Sequence, residues 1–380
     1  MRRLIPNFLK PLVRFIYYKM ERKKFFREVS IRQDQNKRIR EDFSRDCKRL
    51  IVIFSTGADL NSGKENLTGG LMSIVSIYEE TKKIKHIHNA EVIICTQPHE
   101  SLINRYTSFK NDAYIYRPEQ IFKYFKSLDY LLIHTICYAT PRLESYLEKH
   151  KNKISSIREF RINILNQNIR LMPKPQELAY LFEWTNNITQ TTAHKSYSTK
   201  EIQSKYGFPL HYLSVKGGPD LYNHINFNKK EDLILFSPDN VEKNNEIIGL
   251  IKRNLPDFET RIIANLNYQD YLNLVEKAKF VITFGEGLDY YFIESAFTGG
   301  VSIALYNKEF FPSTFQNCLG LFHSYDELKD QLIDFIKSSN SSQQHKKTNN
   351  FQFNICNTIY NNDNYISNIN FFYKNDFTYK

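Results

Sequence analysis

Residues 280–305 read FVITFGEGLDYYFIESAFTGGVSIAL, and this stretch decides the class of fold. The run at 280–284 is β-branched and aromatic, which predicts a buried strand. Asp289 can cap a following helix, and Gly299-Gly300 can end that helix before a second strand at 301–305. A strand, a helix and another strand in this order predict an α/β fold, with ligand-binding loops at the carboxyl ends of the strands.

The same alternation continues in both directions from this stretch. The 380 residues are too many for one compact core, so two domains are expected. In the second half we predict strands at 232–236, 258–264, 279–284 and 301–305, and helices at 239–253, 267–277, 290–298 and 325–337. In the first half we predict strands at 50–54, 91–95, 113–116, 130–134, 162–165 and 187–191, with helices starting near residues 70, 118, 141, 175 and 198. The sequence therefore predicts two Rossmann-like, doubly wound domains that face a shared cleft.

Breaks in composition set the predicted domain boundaries. The segment VKGGPD at 215–220 interrupts the alternation most sharply, and we place the interdomain boundary there. The predicted units are a basic helical segment at 1–48, an amino-terminal domain at 49–217, a carboxyl-terminal domain at 218–338 and a tail at 339–380. The tail is polar at first and aromatic later, which predicts a linker followed by a packing helix.

The net charge of +11 is concentrated in one terminal segment. Residues 1–49 hold 16 Lys and Arg against 6 Asp and Glu, whereas residues 50–380 carry a net charge of +1. Folded domains with almost no net charge are not expected to bind along a phosphate backbone, so nucleic acid is not an expected partner. Residues 1–20 alternate apolar and basic side chains at helical spacing, in a run too interrupted to span a bilayer. We expect residues 1–49 to lie on an anionic membrane surface.

The alternative for this basic segment is a helix whose apolar side chains pack on the protein's own domain. The candidate contacts for that alternative are Phe25, Phe26, Val29, Ile39 and Phe43. The five cysteines form no C-x-x-C pair, which predicts reduced thiols in a cytoplasmic protein. The sequence has no D-x-D triplet, Walker P-loop, G-x-S-x-G or H-E-x-x-H motif, so we expect neither a metal nor a cofactor.

Two glutamates, Glu286 and Glu294, flank the start of the helix predicted at 290–298 and are separated by seven residues. Carboxylates near a helix amino terminus are stabilised by the helix dipole and can accept hydrogen bonds from sugar hydroxyls. From the residues alone, the alternative is a capping acid followed by a solvated helix acid. The stretch resembles the E-x7-E motif of the retaining glycosyltransferases with the GT-B fold (family 4-like), in the same strand, loop and helix context.

The resemblance covers about residues 50–340 and implies an acceptor domain at 49–217, a nucleotide-sugar donor domain at 218–338 and roles for further positions. Gly69-Gly70 resembles the family's GG loop, where missing side chains let backbone N–H groups approach the donor diphosphate. His134, at the end of a predicted strand, is similar to the family's histidine near the transferred sugar. Lys243 lies where the family has a Gly-Arg-x-x-x-x-Lys pattern and would neutralise diphosphate charge, although Ser-Pro-Asp stands here in place of the glycine and arginine.

The same resemblance implies that Glu286 orients the donor sugar, that Gly287 belongs to the donor-binding loop and that Glu294 holds the ribose hydroxyls. It implies a retaining, metal-independent transfer from a nucleotide-diphosphate sugar to a lipid-linked or polysaccharide acceptor, in cell-surface polysaccharide biosynthesis at the inner face of the plasma membrane. The alternatives are a nucleotide-sugar epimerase on the same fold and a non-catalytic membrane-peripheral protein. His194 can reach the cleft or lie in the core, and its position favours the core.

Overall fold

The computed structural model of the chain describes residues 10–55, 68–99, 113–264 and 266–380, with backbone alone at 10–18 and 139. Two parallel sheets with helices on their faces form its body. This arrangement confirms the predicted α/β class and the two Rossmann-like units preceded by a helical segment. The predicted boundaries at 48/49, 217/218 and 338/339 stay predictions.

The first sheet has six parallel strands in the order β2-β1-β3-β4-β5-β6. Its strands are β1 (Arg49–Ser55), β2 (Glu91–Thr96), β3 (Tyr130–Ile136), β4 (Glu159–Asn166), β5 (Ile188–Thr192) and β6 (Leu210–Tyr212). The central strands β1 and β3 are buried along nearly their whole length. Both faces of the sheet carry apolar clusters, which explains why these strands read as continuous apolar runs.

Within the described residues of the first domain, six α-helices connect the strands of this sheet. They are α2 (Gly69–Lys83), α3 (Lys85–His88), α4 (Pro118–Tyr124), α5 (Thr140–Lys149), α6 (Lys151–Ile154) and α7 (Lys200–Tyr206). Pro118 lies in the first turn of α4, where its missing N–H leaves no helical hydrogen bond unmade. The helix starts predicted near residues 70, 118, 141 and 198 each lie within two residues of an observed start. The helix predicted to start near residue 175 is a 3₁₀ helix, Pro175–Glu183.

The second sheet has five parallel strands in the order β11-β10-β9-β7-β8. Its strands are β7 (Glu231–Phe236), β8 (Glu259–Ile262), β9 (Ala278–Thr283), β10 (Val301–Leu305) and β11 (Leu321–Phe322). The helices of this half are α8 (Val241–Asn254), α9 (Tyr268–Lys277), α10 (Tyr290–Phe297) and α11 (Tyr325–Ser339). Each predicted element of this half is present within a few residues of its predicted bounds.

In the first domain one strand prediction was wrong and one strand was not predicted. The segment predicted at 113–116 forms isolated bridges rather than a strand, one of them between Cys95 and Tyr116. Its alternating tyrosines instead bind the amino-terminal helix, where Tyr114 donates to Asp34 at 2.7 Å and Tyr116 donates to Asp42 at 2.8 Å. The three-residue strand β6 is too short to give a periodic signal, and sequence analysis missed it.

The amino-terminal segment forms one long helix, α1 (Lys10–Asp42). Its last part packs on the first domain, because Ile39 is buried in the core and Phe43, just beyond the helix, packs against the same core. The part at 19–27 is exposed, with Phe25 61% and Phe26 58% accessible, so these two are not core contacts as the alternative required. Among the described residues, no helix combines the length and the apolar character that crossing a bilayer requires.

The tail contains two helices rather than a linker and one helix. They are α12 (Ser342–Asn357) and α13 (Asn362–Tyr373). The linker prediction was wrong because the buried face of α12 is polar, and its side chains bond to backbone of the second domain. Asn349 donates to the carbonyls of Ala296 and Gly300 at 2.8 and 2.7 Å, and Gln352 donates to the carbonyl of Ser302 at 2.7 Å. The α13 helix instead packs on the first sheet.

Candidate active site

A cavity of about 810 Å³ lies between the two sheets, at the carboxyl ends of their strands. Loops after β1, β3, β4 and β5 line it from the first domain, and loops after β7, β8 and β9 line it from the second. Open α/β sheets bind their ligands at this position. The lining residues used below are Gly69, Gly70, Gln167, Asn168, Arg170, His194, Asp239, Tyr271, Glu286, Asp289 and Tyr290.

The amino terminus of α2 forms one wall of the cavity. Thr68 caps the helix by accepting from the Leu71 N–H at 3.2 Å, and no acidic residue lies in the first turn. A Cβ on Gly69 would lie 3.1 Å from the Tyr290 ring, and one on Gly70 would lie 3.1 Å from Gln167 Oε1. Glycine therefore lets neighbouring groups approach this helix start, whose free N–H groups and dipole favour an anion.

Glu286 lies in the loop after β9, where residues of the first domain contact it. The Asn168 amide donates to Oε1, and His194 Nε2 lies 3.6 Å from Oε2. The Glu286 side chain keeps 33% of its surface accessible. Its neighbour Gly287 has a φ of +88°, and a Cβ there would lie 2.5 Å from the Phe311 ring, so glycine is required for the turn that presents Glu286. Gly287 itself does not line the cavity.

Glu294 occupies a different environment from Glu286. Its side chain is fully buried and does not line the cavity. Tyr222 and Tyr268 donate to Oε1 at 3.2 and 3.1 Å, and Tyr271 donates to Oε2. Burial, together with the Glu294 charge, raises the pKa of all three hydroxyls, so they remain donors. The carboxylate predicted to hold ribose hydroxyls is thus occupied by tyrosine hydroxyls, of which Tyr271 reaches the cavity wall.

His134 lies inside the first domain and not at the cavity, contrary to its predicted place beside the sugar. Its side chain is 1% exposed, with Nε2 3.0 Å from the Tyr373 hydroxyl and Nδ1 3.0 Å from the Asn163 amide. Burial lowers the pKa of His134 to about 3, so the ring is neutral at neutral pH. The physical reason is topological: β3 continues to Ile136, and α13 covers the His134 side chain with Phe372 and Tyr373.

Lys243 also lies outside the cavity lining. Its backbone N–H donates to the Asn240 side chain at 3.0 Å in the first turn of α8. The ammonium instead lies over aromatic rings, 4.8 Å from the centroid of Tyr325 and 5.9 Å from that of Phe284. This cation–π packing occupies the ammonium with rings rather than with the cavity.

Two aspartates missed by sequence analysis as site residues line the second-domain wall. Asp239 closely approaches Gly285, since a Cβ on Gly285 would lie 2.8 Å from Oδ2 of Asp239. Asp289 caps α10 by accepting from the Phe292 N–H at 3.1 Å, and it accepts from the Thr283 hydroxyl at 2.7 Å. Burial raises the pKa of Asp289 to about 7, opposed by the Thr283 hydrogen bond and assisted by the Asp239 charge.

Sequence analysis also undervalued His194 and gave no role to Asn168. Both follow the carboxyl ends of strands, which is the signal that could have identified them. His194 is 8% exposed, as the core interpretation required, yet it also lines the cavity. In the ranges that the structure describes, no group of three or more His, Cys, Asp or Glu side chains is arranged to hold a metal ion.

No protein-family model matches the sequence, and no curated protein matches it significantly. Among solved structures, sucrose-phosphate synthase from Thermosynechococcus elongatus has a TM-score of 0.55 at 10% identity, covering 86% of this chain and 99% of that one. HepE from Anabaena, solved with UDP-glucose, has a TM-score of 0.55 at 9% identity, with coverage of 86% and 98%. An α-glucosyltransferase in complex with UDP-glucose and DNA containing an abasic site has a TM-score of 0.53 at 10% identity, with coverage of 82% and 95%.

At these identities the likeness is one of fold. These structures share the GT-B arrangement of two Rossmann-like domains around a central cleft. The predicted membership of the retaining, E-x7-E family stays a prediction. The arrangement of sheets, cleft and connecting loops in this chain is therefore that of the GT-B fold.

Proposed function

We propose that this protein is a glycosyltransferase that moves a sugar from a nucleotide-diphosphate sugar to a saccharide acceptor. The observation that carries the proposal is the position of Glu286, a partly exposed carboxylate at a large cleft between two sheets, with the glycine-lined start of α2 in the opposite domain. Support also comes from two of the similar structures, which were solved with UDP-glucose.

In this proposal the donor diphosphate lies at the amino terminus of α2, beside Gly69 and Gly70. Backbone N–H groups and the helix dipole stabilise its charge there without a metal. Glu286 accepts hydrogen bonds from the donor sugar and orients it. Glu294 acts indirectly and does not contact the donor, because it accepts a hydrogen bond from Tyr271 and so fixes that side chain in the cavity wall. Lys243 and His134 support the fold around the site and do not contact the donor.

The reaction breaks the bond between the anomeric carbon and the diphosphate oxygen and forms a bond from that carbon to the acceptor oxygen. The acceptor hydroxyl proton leaves with the diphosphate, and the anomeric configuration is retained. In this proposal the two domains close on the bound donor and exclude water, which protects the donor from hydrolysis.

The first experiment is a screen of purified protein with a panel of nucleotide sugars, lipid-linked saccharides and polysaccharide fragments, with release of nucleoside diphosphate as the readout. We expect release that depends on a saccharide acceptor and is lost in Glu286→Gln. Glu183→Gln, an exposed glutamate outside the cavity lining, is the matched control and should keep activity. Duplex DNA is included because one similar structure contains DNA. We expect no transfer to it, since the body of this protein is nearly neutral.

The same screen separates the alternatives. An epimerised nucleotide sugar formed without acceptor would identify the epimerase. Binding of no nucleotide sugar, measured as the absence of thermal stabilisation across the panel, would identify a non-catalytic protein.

We further propose that the acceptor is lipid-linked or a growing cell-surface polysaccharide and that the protein works at the cytoplasmic face of the plasma membrane. The exposed part of α1 supports this, because Met20, Phe25 and Phe26 are 64%, 61% and 58% exposed on a helix rich in Lys and Arg. The helix backbone from residue 10 to residue 30 is about 30 Å long at 1.5 Å per residue. Exposed aromatic rings among cations fit an anionic lipid surface.

Liposome flotation tests this anchor with the full chain. We expect binding to vesicles containing phosphatidylglycerol and little binding to phosphatidylcholine alone. Replacing Phe25 and Phe26 with Ser, or Lys23 and Lys24 with Glu, should weaken binding. The control is replacement of Lys252 and Arg253 with Glu at the exposed end of α8, and equal loss in that control would contradict the anchor.

A further inference from the structure

Two loops of the first domain each make a pair of contacts with the second domain. The loop after β4 carries Asn168 and Arg170, and the loop after β5 carries His194 and Ser196, so the contacting residues are two apart in both loops. Asn168 and His194 contact Glu286, and we name these the inner contacts. Arg170 donates to the Glu309 carboxylate at 2.6 Å and Ser196 to the Glu309 carbonyl at 2.5 Å, and we name these the outer contacts.

The inner contacts reach both oxygens of the Glu286 carboxylate, Asn168 through a hydrogen bond and His194 with its Nε2 at 3.6 Å. The Asn168 amide is itself oriented, because its Oδ1 accepts from the Arg170 N–H at 2.9 Å, and this leaves the amide nitrogen to donate to Glu286. The His194 ring is buried between Tyr197 and Phe310, each with its centroid 5.3 Å away. The Asn168 amide and the His194 ring are therefore each positioned by residues other than Glu286. We infer that they set the orientation of the Glu286 carboxylate.

Because Glu286 belongs to one domain and both partners belong to the other, its orientation exists only while the domains are together. The outer contacts join the same loops to the second domain but do not touch the carboxylate. Arg170 and Glu309 are also more exposed, with side chains 58% and 42% accessible. The outer contacts therefore join the domains without holding Glu286, and Arg170 also lines the cavity, whereas the inner contacts join the domains and set the direction of Glu286.

We propose that Asn168 and His194 are positioning residues that aim Glu286 at the donor sugar and make that aim depend on domain closure. The inference rests on the proposed function, since it concerns the sugar of a nucleotide-sugar donor. Loss of an inner contact should cost binding of the sugar part of the donor and turnover, while binding of the nucleotide part is kept.

The test compares UDP with UDP-glucose by calorimetry and measures kcat and KM separately. Asn168→Ala and His194→Phe should each lower the ratio Kd(UDP)/Kd(UDP-glucose) and kcat by about tenfold, since each removes one contact to a charged group. The Kd for UDP should stay within about twofold. His194→Gln keeps a nitrogen donor and should recover most of both losses. Glu309→Ala, the outer-contact control, should change both dissociation constants by the same factor.

An unchanged ratio in His194→Phe would overturn the inference, as would a His194→Gln variant as impaired as His194→Phe, because shape alone would then matter. A drop in the ratio for Glu309→Ala equal to that for Asn168→Ala would also overturn it, since closure alone would explain the effect. If wild-type protein binds neither UDP nor UDP-glucose and the nucleotide-sugar panel is negative, the proposed function fails and the inference falls with it. Circular dichroism of each variant confirms that it is folded.

Discussion

Glu286 and Glu294 belong to one strand, loop and helix segment and differ in almost every physical respect. Glu286 is partly exposed at a cleft and is held from the other domain by Asn168 and His194. Glu294 has no exposed surface and is held by three tyrosines, all within its own half of the chain. The difference shows that two glutamates of one short segment divide into a group that faces the cavity and a buried group that fixes the wall behind it.

The largest effect expected from this comparison is on stability at Glu294. Replacement by Ala removes the acceptor that three buried tyrosine hydroxyls share, and each donor left unsatisfied costs about 1 to 3 kcal/mol. The hydrogen bond between Tyr222 and Tyr268 and access of water to Tyr271 relieve part of this cost. We expect Glu294→Ala to lower the free energy of unfolding by about 3 kcal/mol or more in urea denaturation.

Tyr222→Phe removes only one of the three donors and serves as the graded control. Its loss should be about 1 kcal/mol. A loss below about 1 kcal/mol in Glu294→Ala would show that the tyrosines find other acceptors and that the buried carboxylate does not organise the wall.

Glu286→Gln should show the opposite pattern. The side chain is accessible, so we expect the free energy of unfolding to stay within about 1 kcal/mol of wild type. Turnover should fall by about 100-fold, because an oriented charge at the reacting sugar is lost. Donor-dependent release of nucleoside diphosphate and urea denaturation measure the two quantities. If stability falls and turnover does not, the roles of the two glutamates would be reversed.

Asp289 lies between the two glutamates and should give the segment a pH dependence. Burial raises its pKa from 3.8 to about 7. Between these values the unfolded chain releases the proton while the folded chain keeps it. The contribution of Asp289 to the free energy of unfolding is therefore full below about pH 4, is lost as pH rises to about 7, and is level above that.

Asp289→Asn removes this titration and keeps a residue that caps helices well. Urea denaturation of both proteins from pH 4 to pH 8 should give a difference that changes below pH 7 and is constant above it. Buried His134 contributes a slope of the opposite sign between about pH 3 and pH 6.5, and it cancels in the comparison because both proteins contain it. Parallel curves over the whole range would contradict the raised pKa of Asp289.

The smallest effect is expected at Lys243. Because its ammonium lies over Tyr325 and outside the cavity lining, Lys243→Met should change the Kd for UDP-glucose by less than about threefold, the scale of a screened surface charge. Calorimetry measures this Kd. A loss of tenfold or more would place the lysine at the diphosphate and restore the role implied by the family resemblance.

The second domain was the more predictable half, and its local sequence explains why. Strands such as β9 and β10 are short apolar runs, and the helix between them begins at a clear capping residue. The periodicity of apolar residues and the capping residues therefore predict the same boundaries. The prediction failed at α12 because its buried face includes Asn349 and Gln352, which are stabilised by hydrogen bonds to backbone groups far away in the sequence. A hydropathy pattern does not reveal such hydrogen bonds.

The candidate site divides in the same way. Gly69, Gly70 and Glu286 could be predicted to reach the cleft, because each lies in a loop at the carboxyl end of a predicted strand. His134 could not be separated from such residues by sequence, since whether a strand end is open or covered depends on α13, more than 200 residues away. His194 and Asn168 could not be predicted as site residues, because what marks them is their contact with Glu286 in the other domain.

The α/β class, the alternation of strands and helices and the loops that can face a ligand could be predicted from the residues alone, because they follow from side-chain periodicity and helix capping within a few residues. Which of those loops meet, and which carboxylate stays accessible, depends on the folded chain. Burial, hydrogen-bond partners and pKa depend on groups brought together from distant parts of the chain, and spacing along the sequence does not specify them.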